Sequence, residues 1–235
     1  MKRRVAVLIL CGGKGERLRP LTESLPKPLV EIKGRPILSY LIDHVLKFGI
    51  ADIVIAAGFK SEKIREFFSV NYKETSVQIV DSGNVDIIDR IRDCEPYLHS
   101  DFIVLYGDTL ADVDLDKLQD FHLQSHARAT VALFPLKSQF GLATLDDDNN
   151  VTRFEEKPTL DRWINIGNFY YTPEVFSWMK GFDSYAAFLE HLGLERKLKG
   201  YRHHGVHITV NTFQELEDAE RNIHEFAPGA LLDED

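Results

Sequence analysis

The stretch CGGKGERLRPLTESLPKPL, residues 11–29, follows an apolar run and combines glycines, prolines and cations in one loop. Gly12, Gly13 and Gly15 let backbone N–H groups approach an anion closely, because no Cβ stands in the way. Cys11 stands at the edge of the same turn. Lys14, Arg17, Arg19 and Lys27 surround the space with positive charge, offset within the stretch only by Glu16 and Glu23. Such a loop is suited to holding a chain of phosphates. Two familiar phosphate loops are excluded by spacing. Glu16, Arg17 and Leu18 follow Gly15 where a dinucleotide fingerprint needs a further glycine opening a helix, and the string G-x-x-x-x-G-K-[ST] does not occur. Pro20 and Pro26 predict an extended, rigid continuation that carries Lys27 back to the phosphates.

The elements that must position this loop are legible in the hydrophobic spacing. RRVAVLIL (3–10), ADIVIAA (51–57), SVQIV (76–80) and DFIVLY (101–106) read as buried strands. Between them, PILSYLIDHVLKFG (36–49), SEKIREFFSVNY (61–72) and DIIDRIRDC (86–94) carry apolar residues at i, i+3, i+4 and i+7. This alternation predicts an α/β fold, a parallel sheet with crossover helices. Pro36 opens the first helix and Gly49 ends it. A helix over 115–125 comes next. ATVALFP, FGLATLD, VTRFEE and WINIGNFYY then follow in quick succession, as a mixed or antiparallel extension of the sheet would. Helices near 174–179 and 185–191, a hairpin made by GYRHHG and VHITV, a closing helix FQELEDAERNIHEF and a frayed acidic tail LLDED complete the expectation.

Composition narrows the function classes. With 235 residues and 44% hydrophobic content the chain can bury one substantial core. The formal net charge of -9 argues against nucleic acid or an anionic membrane as the main partner, while leaving room for a small anionic substrate. Cys11 and Cys94 are too few for a disulfide framework and have no histidines at zinc spacing, which fits a reduced cytoplasm. MKRR followed by VAVLILC imitates a signal peptide, but GGKGERLR offers no small-x-small cleavage site and reads better as the loop after a buried first strand. No segment approaches the roughly 20 apolar residues of a membrane span.

GGKGERLRPLTESLPKPLVEIKGRPIL resembles the signature G-G-x-G-x-R-L-x-P-L-T-x-x-x-P-K-P of the sugar nucleotidyltransferases, the nucleoside-diphosphate-sugar pyrophosphorylases. Later segments resemble the family in order: LYGDTLADVDL (105–115), FGLATLD, FEEKP (154–158), INIGNFYY (164–171) and GVHITVNTFQELEDAE (205–220). The resemblance implies a three-layer α/β/α Rossmann-like fold with a mixed, mainly parallel central sheet. It implies one catalytic domain over 1–235, with a nucleotide-binding part to about residue 110 and a sugar-phosphate-binding part over about 111–227. The substrates it implies are a nucleoside triphosphate and a sugar 1-phosphate, with Mg²⁺ as cofactor. By the same resemblance Arg17 and Lys27 hold the triphosphate, Asp108 holds Mg²⁺, Lys157 grips the sugar phosphate, and Gly141, Glu156, Asn165 and Gly167 line the sugar pocket. The transfer is in line, a sugar-phosphate oxygen attacking the α-phosphorus while pyrophosphate leaves. Such a step needs positioning and cationic stabilisation more than a side-chain nucleophile.

The chain departs from the family pattern in two places. Many members carry a second metal-binding Asp where VHITVNT has Thr209 and Asn211; the Asn211 carbonyl can ligate Mg²⁺ but adds no charge. Thymidylyl and guanylyl members show G-T-(A/G)-G-A after the third strand, where this chain has DSGNVDIIDRI (81–91). That stretch is closer to the glucose-1-phosphate cytidylyltransferases, which makes CTP the expected nucleotide and Ser82, Gly83 and Asp86 the residues expected to read its base.

Several residues have plainer readings. Asp108 can cap a turn, Asp112, Asp114 and Asp116 can compensate a helix dipole, and DDDNN (146–150) reads as a solvated turn. His203, His204 and His207 invite a metal, against which stand the hairpin context and the lack of a nearby cysteine. Two rival functions remain: a non-catalytic nucleotide-sugar-binding regulator on the same fold, and a transferase acting on phosphocholine or inositol phosphate. Assembly into a homo-oligomer is left open.

Overall fold

The computed structural model describes residues 3–72 and 75–227. The apolar run before the glycine loop is strand β1 (Val5–Cys11), and the loop region contains the single turn α1 (Leu21–Ser24) and the small bridge of β2 (Glu31–Ile32) with β3 (Arg35–Pro36). Then come α2 (Ile37–Lys47), β4 (Ile53–Ala57), α3 (Ser61–Asn71), β5 (Val77–Asp81), α4 (Ile87–Arg92) and β6 (Asp101–Tyr106). The chain continues through β7 (Thr109–Ala111), α5 (Leu115–Ser125), β8 (Ala129–Lys137), β9 (Leu142–Leu145), β10 (Val151–Glu155) and β11 (Thr159–Tyr171). It closes with α6 (Val175–Met179), α7 (Tyr185–Leu194), β12 (Leu198–Arg202), β13 (His207–Thr209) and α8 (Phe213–Phe226). The frayed tail expected at 231–235 lies outside the described residues.

The central sheet runs β12-β8-β11-β6-β1-β4-β5. Strands β6, β1, β4 and β5 are parallel, β11 is antiparallel to both β6 and β8, and β12 runs parallel to β8. The sheet is therefore mixed and mainly parallel, as the alternation and the resemblance imply. Its two faces belong to different cores, which is why β1 is apolar at every position. Val7 and Ile9 pack with residues of α2, α3, α5 and α8, whereas Ala6 and Leu8 pack with residues of α4, α6 and α7. Helices thus cover both faces and give the three layers.

One expectation is corrected. GYRHHG and VHITV do not form a hairpin with each other: β12 joins the edge of the central sheet beside β8, and β13 pairs antiparallel with β7. Gly200 explains the first contact, since a Cβ there would lie 2.5 Å from Leu133 Cδ1, so glycine admits the close approach of β12 to β8. Asp112 explains the second. Its carboxylate accepts from the Val206 backbone N–H at 2.6 Å and meets His203 Nε2 at 2.9 Å, turning the chain out of the sheet toward β7. Strands β9 and β10 pair with each other and form a ribbon separate from the central sheet.

The closing helix begins with a capping box in which Thr212 Oγ1 accepts from Glu215 N–H (3.2 Å) and Glu215 Oε2 accepts from Thr212 N–H (3.1 Å). The same Glu215 oxygen accepts from Asn211 N–H at 2.6 Å, so the cap also fixes the residue before it. Thr212→Ala is expected to cost about 1 kcal/mol of stability, read as a lowered midpoint in urea unfolding at unchanged slope.

Candidate active site

Parallel α/β sheets leave their ligand crevice beyond the carboxyl ends of the strands. Here the glycine loop leaves the carboxyl end of β1, and Asp108 lies just beyond the end of the neighbouring β6. The loop is held from within. Leu18 is fully buried, Leu18 N–H donates to Gly15 O (2.9 Å), and Thr22 Oγ1 donates to the same carbonyl (2.8 Å). Gly15 adopts φ +63°, which L side chains rarely take, and lies against Thr22 and Lys27. Gly13 and Lys14 are exposed.

Lys27 is carried back as the prolines imply, and the residue is buried at 8% exposure. Its Nζ donates to Asp108 Oδ2 (2.5 Å) and to Asn211 Oδ1 (2.7 Å), while Arg17 Nη2 donates to that same Asn211 oxygen at 3.2 Å. The β7–β13 pairing makes the meeting possible. Thr109 opposes Thr209 in that ladder, and Val210 N–H donates to Asp108 O at 3.1 Å, which sets Asn211 beside Asp108. Asn211 Nδ2 donates to Thr209 Oγ1 at 2.9 Å, so the amide nitrogen is occupied and the carbonyl oxygen faces the two cations. Arg17, Lys27, Asp108 and Asn211 come from three distant segments and converge on one point.

Beside this point lies a cavity of about 220 Å³ walled by Leu10, Gly12, Ile87 and Tyr106 and reaching Lys27 and Asp108. Cys11 lines it too, but burial pushes its thiol pKa up, with Asp108 adding to the effect. Burial also pushes the Cys94 thiol up to about 12. Neither cysteine stands ready as a thiolate nucleophile.

Arg90 escaped the sequence reading. Its guanidinium, 5% exposed at the residue level, donates to Ala57 O, to Gly83 O (2.9 Å) and to Val85 O (3.4 Å), tying the ends of β4 and β5 together. It also lies directly beneath the glycine loop, where a Cβ on Gly12 would come 1.9 Å from Arg90 Cζ. Burial lowers its pKa, with Asp81 among the groups acting against that. A signal was present. Ile87, Arg90, Ile91 and Cys94 stand at i, i+3, i+4 and i+7 of the segment 86–94, and a cation within an apolar stripe needs buried partners.

The residues expected to read a base have mixed surroundings. Ser82 Oγ is buried without a hydrogen-bond partner among the described residues. Gly83 N–H donates to Asp81 Oδ1 at 3.0 Å, and its φ is +64°. Asp86 caps α4, its Oδ1 accepting from Ile88 N–H (3.0 Å) and from Tyr185 N–H (3.2 Å), so that oxygen already holds two helix starts.

The expected sugar-side residues form two groups. Asn165 Oδ1 accepts from Gly167 N–H at 2.8 Å, and both residues meet Tyr106, whose pKa is raised by burial while the Asn165 side chain acts to lower it. Gly141, Glu156 and Lys157 belong instead to the β9–β10 ribbon and its flanks. A Cβ on Gly141 would lie 2.6 Å from Phe154 Cζ and 2.8 Å from Glu156 Oε2. Lys157 is exposed and makes no hydrogen bond or ion pair among the described residues.

The plainer readings hold elsewhere. Asp114 caps α5 by accepting from Lys117 N–H at 3.0 Å, and Asp146 closes the 146–150 turn by accepting from Asp148 and Asn150. His203 and His207 both lie against the ring of Phe134, His203 also meets Asp112, and His204 meets the edge of Trp163. Among the described residues no three His, Cys, Asp or Glu are grouped to hold a metal by themselves.

A sequence profile of the family described as nucleotidyl transferase matches residues 6–193. A probable glucose-1-phosphate cytidylyltransferase of Bacillus subtilis is 32% identical over 89% of this chain and 92% of that protein. A UTP–glucose-1-phosphate uridylyltransferase of Synechocystis is 28% identical over 76% of this chain, which spans 52% of that longer protein. Among solved structures, HddC from Yersinia pseudotuberculosis superposes with a TM-score of 0.73 at 22% identity, covering 93% of this chain and 99% of that one.

The packing of Arg90 under the loop makes Gly12 intolerant of any side chain. Gly12→Ala is expected to displace a guanidinium held by three carbonyls and to cost about 1–3 kcal/mol, measured by chemical denaturation. Gly13, with nothing within 4 Å of its would-be Cβ, supplies the control: Gly13→Ala should unfold within about 0.5 kcal/mol of the parent.

Proposed function

The chain belongs to the nucleotidyl transferase family, and from that premise we propose that it couples a nucleoside triphosphate, preferentially CTP, to a sugar 1-phosphate with release of pyrophosphate. The convergence of Arg17, Lys27, Asp108 and Asn211 at the mouth of the glycine loop carries this reading. The reaction asks for little covalent work by the protein. An oxygen of the sugar phosphate attacks the α-phosphorus, the bond from that phosphorus to the bridging oxygen breaks, and pyrophosphate leaves with the electron pair. The Arg17 and Lys27 side chains serve by holding the phosphates in line and by facing the charge that grows on the leaving group. Exposed backbone at Gly13 lets the phosphates approach.

The donor set suits Mg²⁺. Asp108 Oδ2 and Asn211 Oδ1 are hard oxygen donors that already point at one shared centre, the Lys27 ammonium, and Mg²⁺ in such sites takes one or two protein oxygens with phosphates and water. When bound, the ion supplies Lewis-acid neutralisation of phosphate charge. Thr209 keeps the Asn211 carbonyl turned to that centre.

CTP is preferred because the 81–91 segment resembles the cytidylyltransferase pattern more than the thymidylyl and guanylyl one. The Bacillus subtilis relative that this chain matches over most of both lengths supports the same choice. The uridylyltransferase relative keeps UTP as the competing base.

The test is pyrophosphate release with CTP, UTP, GTP, dTTP or ATP against a panel of sugar 1-phosphates that includes glucose 1-phosphate. Release is expected with CTP and one sugar, to be abolished by EDTA, and to fall by about 10²–10³-fold in Lys27→Ala and Arg17→Ala proteins that keep their circular dichroism. Nucleotide binding without release for any pair would instead establish a non-catalytic regulator, and near-normal turnover by Lys27→Ala would remove the assigned role.

A further inference from the structure

Both oxygens offered to Mg²⁺ above are already claimed by one ammonium. Lys27 Nζ donates to Asp108 Oδ2 at 2.5 Å and to Asn211 Oδ1 at 2.7 Å. Each oxygen is held in place from behind. The second oxygen of the Asp108 carboxylate accepts from Thr109 Oγ1 at 3.2 Å, and the Asp108 carbonyl accepts from Val210 N–H at 3.1 Å. The Asn211 amide nitrogen donates to Thr209 Oγ1 at 2.9 Å, and its backbone N–H donates to Glu215 Oε2 at 2.6 Å. Arg17 Nη2 brings a second cation to the Asn211 oxygen at 3.2 Å. The meeting of β7 and β13 therefore builds a cradle of two oxygens, and the Lys27 ammonium lies in it.

A divalent ion cannot share that cradle. Mg²⁺ takes oxygen ligands at about 2.1 Å, so an ion on Asp108 Oδ2 and Asn211 Oδ1 would stand against Nζ, where like charges repel. The ammonium has to leave before a metal enters. Its surroundings give it somewhere to go. Lys27 Cβ lies against the glycine loop, 3.2 Å from a would-be Cβ on Gly15, and the residue lines the cavity of about 220 Å³ that it shares with Gly12, Gly13 and Asp108. Phosphates on that loop carry the negative charge that can hold a displaced ammonium. Asp108 is the carboxylate it gives up, and the neutral amide at 211 adds no second charge to hold it back.

We propose that Lys27 occupies the metal position of the free protein, and that a bound triphosphate draws the ammonium onto its phosphates and so opens the Asp108 and Asn211 oxygens to Mg²⁺. The inference rests on the reading of the site as one for a nucleoside triphosphate with Mg²⁺. Metal and nucleotide are then coupled in both directions, each raising the affinity for the other. The protein's own cation keeps the metal out until the phosphates have arrived.

Lys27→Met keeps much of the side-chain length and deletes the charge. The experiment titrates Mn²⁺, read by the electron paramagnetic resonance of the free ion, into parent and Lys27→Met proteins without nucleotide. The variant is expected to bind one Mn²⁺ at least about tenfold more tightly than the parent. Equal affinity, or binding to neither protein, overturns the proposal. A second measurement serves if the variant does not fold. The NMR resonance of the Lys27 ammonium in the parent, assigned by its loss in Lys27→Arg, is expected to stay in place with Mg²⁺ alone and to move with the preferred triphosphate in EDTA. Movement with Mg²⁺ alone, or none with the triphosphate, overturns the proposal as well. Calorimetry of triphosphate binding separates the two readings. A parent that binds no triphosphate removes the functional reading, whereas one that binds it yet takes Mn²⁺ as tightly as Lys27→Met removes this inference alone.

Discussion

The ammonium of Lys27 is the interaction on which the site depends. A lysine at 8% exposure cannot keep its charge in an apolar surrounding without partners, and it finds them in Asp108 and Asn211, which lie 81 and 184 residues away in sequence. Three separate constructions must be in place for that meeting. The proline-flanked loop has to return Lys27 to the crevice, β6 has to end just before Asp108, and β13 has to lie against β7 so that Asn211 arrives beside it. Removing one partner of a buried ion pair costs about 3–5 kcal/mol, chiefly because the other charge is stranded. The contact that prepares the chemistry also ties the late part of the chain to the early part.

Charge count gives this group a character of its own. Arg17 and Lys27 face one carboxylate and one neutral amide, so the group is cationic, whereas a second carboxylate at 211 would balance it. A cationic group attracts a triphosphate more strongly before any metal arrives, and attracts the metal less. The overall charge of -9 makes this local excess matter more, since the rest of the surface repels an anionic ligand and the loop is where that repulsion is reversed.

Much of this was legible in the residues, and the parts that were not share a cause. The strand β1 with its glycine loop, the parallel β6-β1-β4-β5 half and the helix α4 follow from hydrophobic period and turn residues, which are local. The hairpin expected of GYRHHG and VHITV failed because two adjacent strand-like segments pair by default in a local reading. Their true partners, β8 and β7, are chosen by Gly200 against Leu133 and by Asp112 against the 203–206 turn. Arg90 was visible as a cation in an apolar stripe, but its partners are carbonyls, which no side-chain pattern discloses. Tyr106 read as one more aromatic at the end of a buried strand. Its close fit against β11 depends on glycine at 167, where a Cβ would fall 2.4 Å from Tyr106 Cγ.

The glycines of the loop show how a motif read as one device is divided in space. All three were expected to clear room for phosphate, yet the neighbours of their missing side chains differ. The space beside Gly12 is filled from below by Arg90, and that beside Gly15 by Thr22 and the stem of Lys27, so those two glycines serve the protein's own packing. Only Gly13 of the three has nothing within 4 Å of its would-be Cβ, and it is exposed. A ligand can therefore approach the loop at Gly13, with the Arg90 guanidinium beneath Gly12 adding a buried positive charge under the same turn. The outer glycines hold the loop against its cationic supports so that the middle one can stay open.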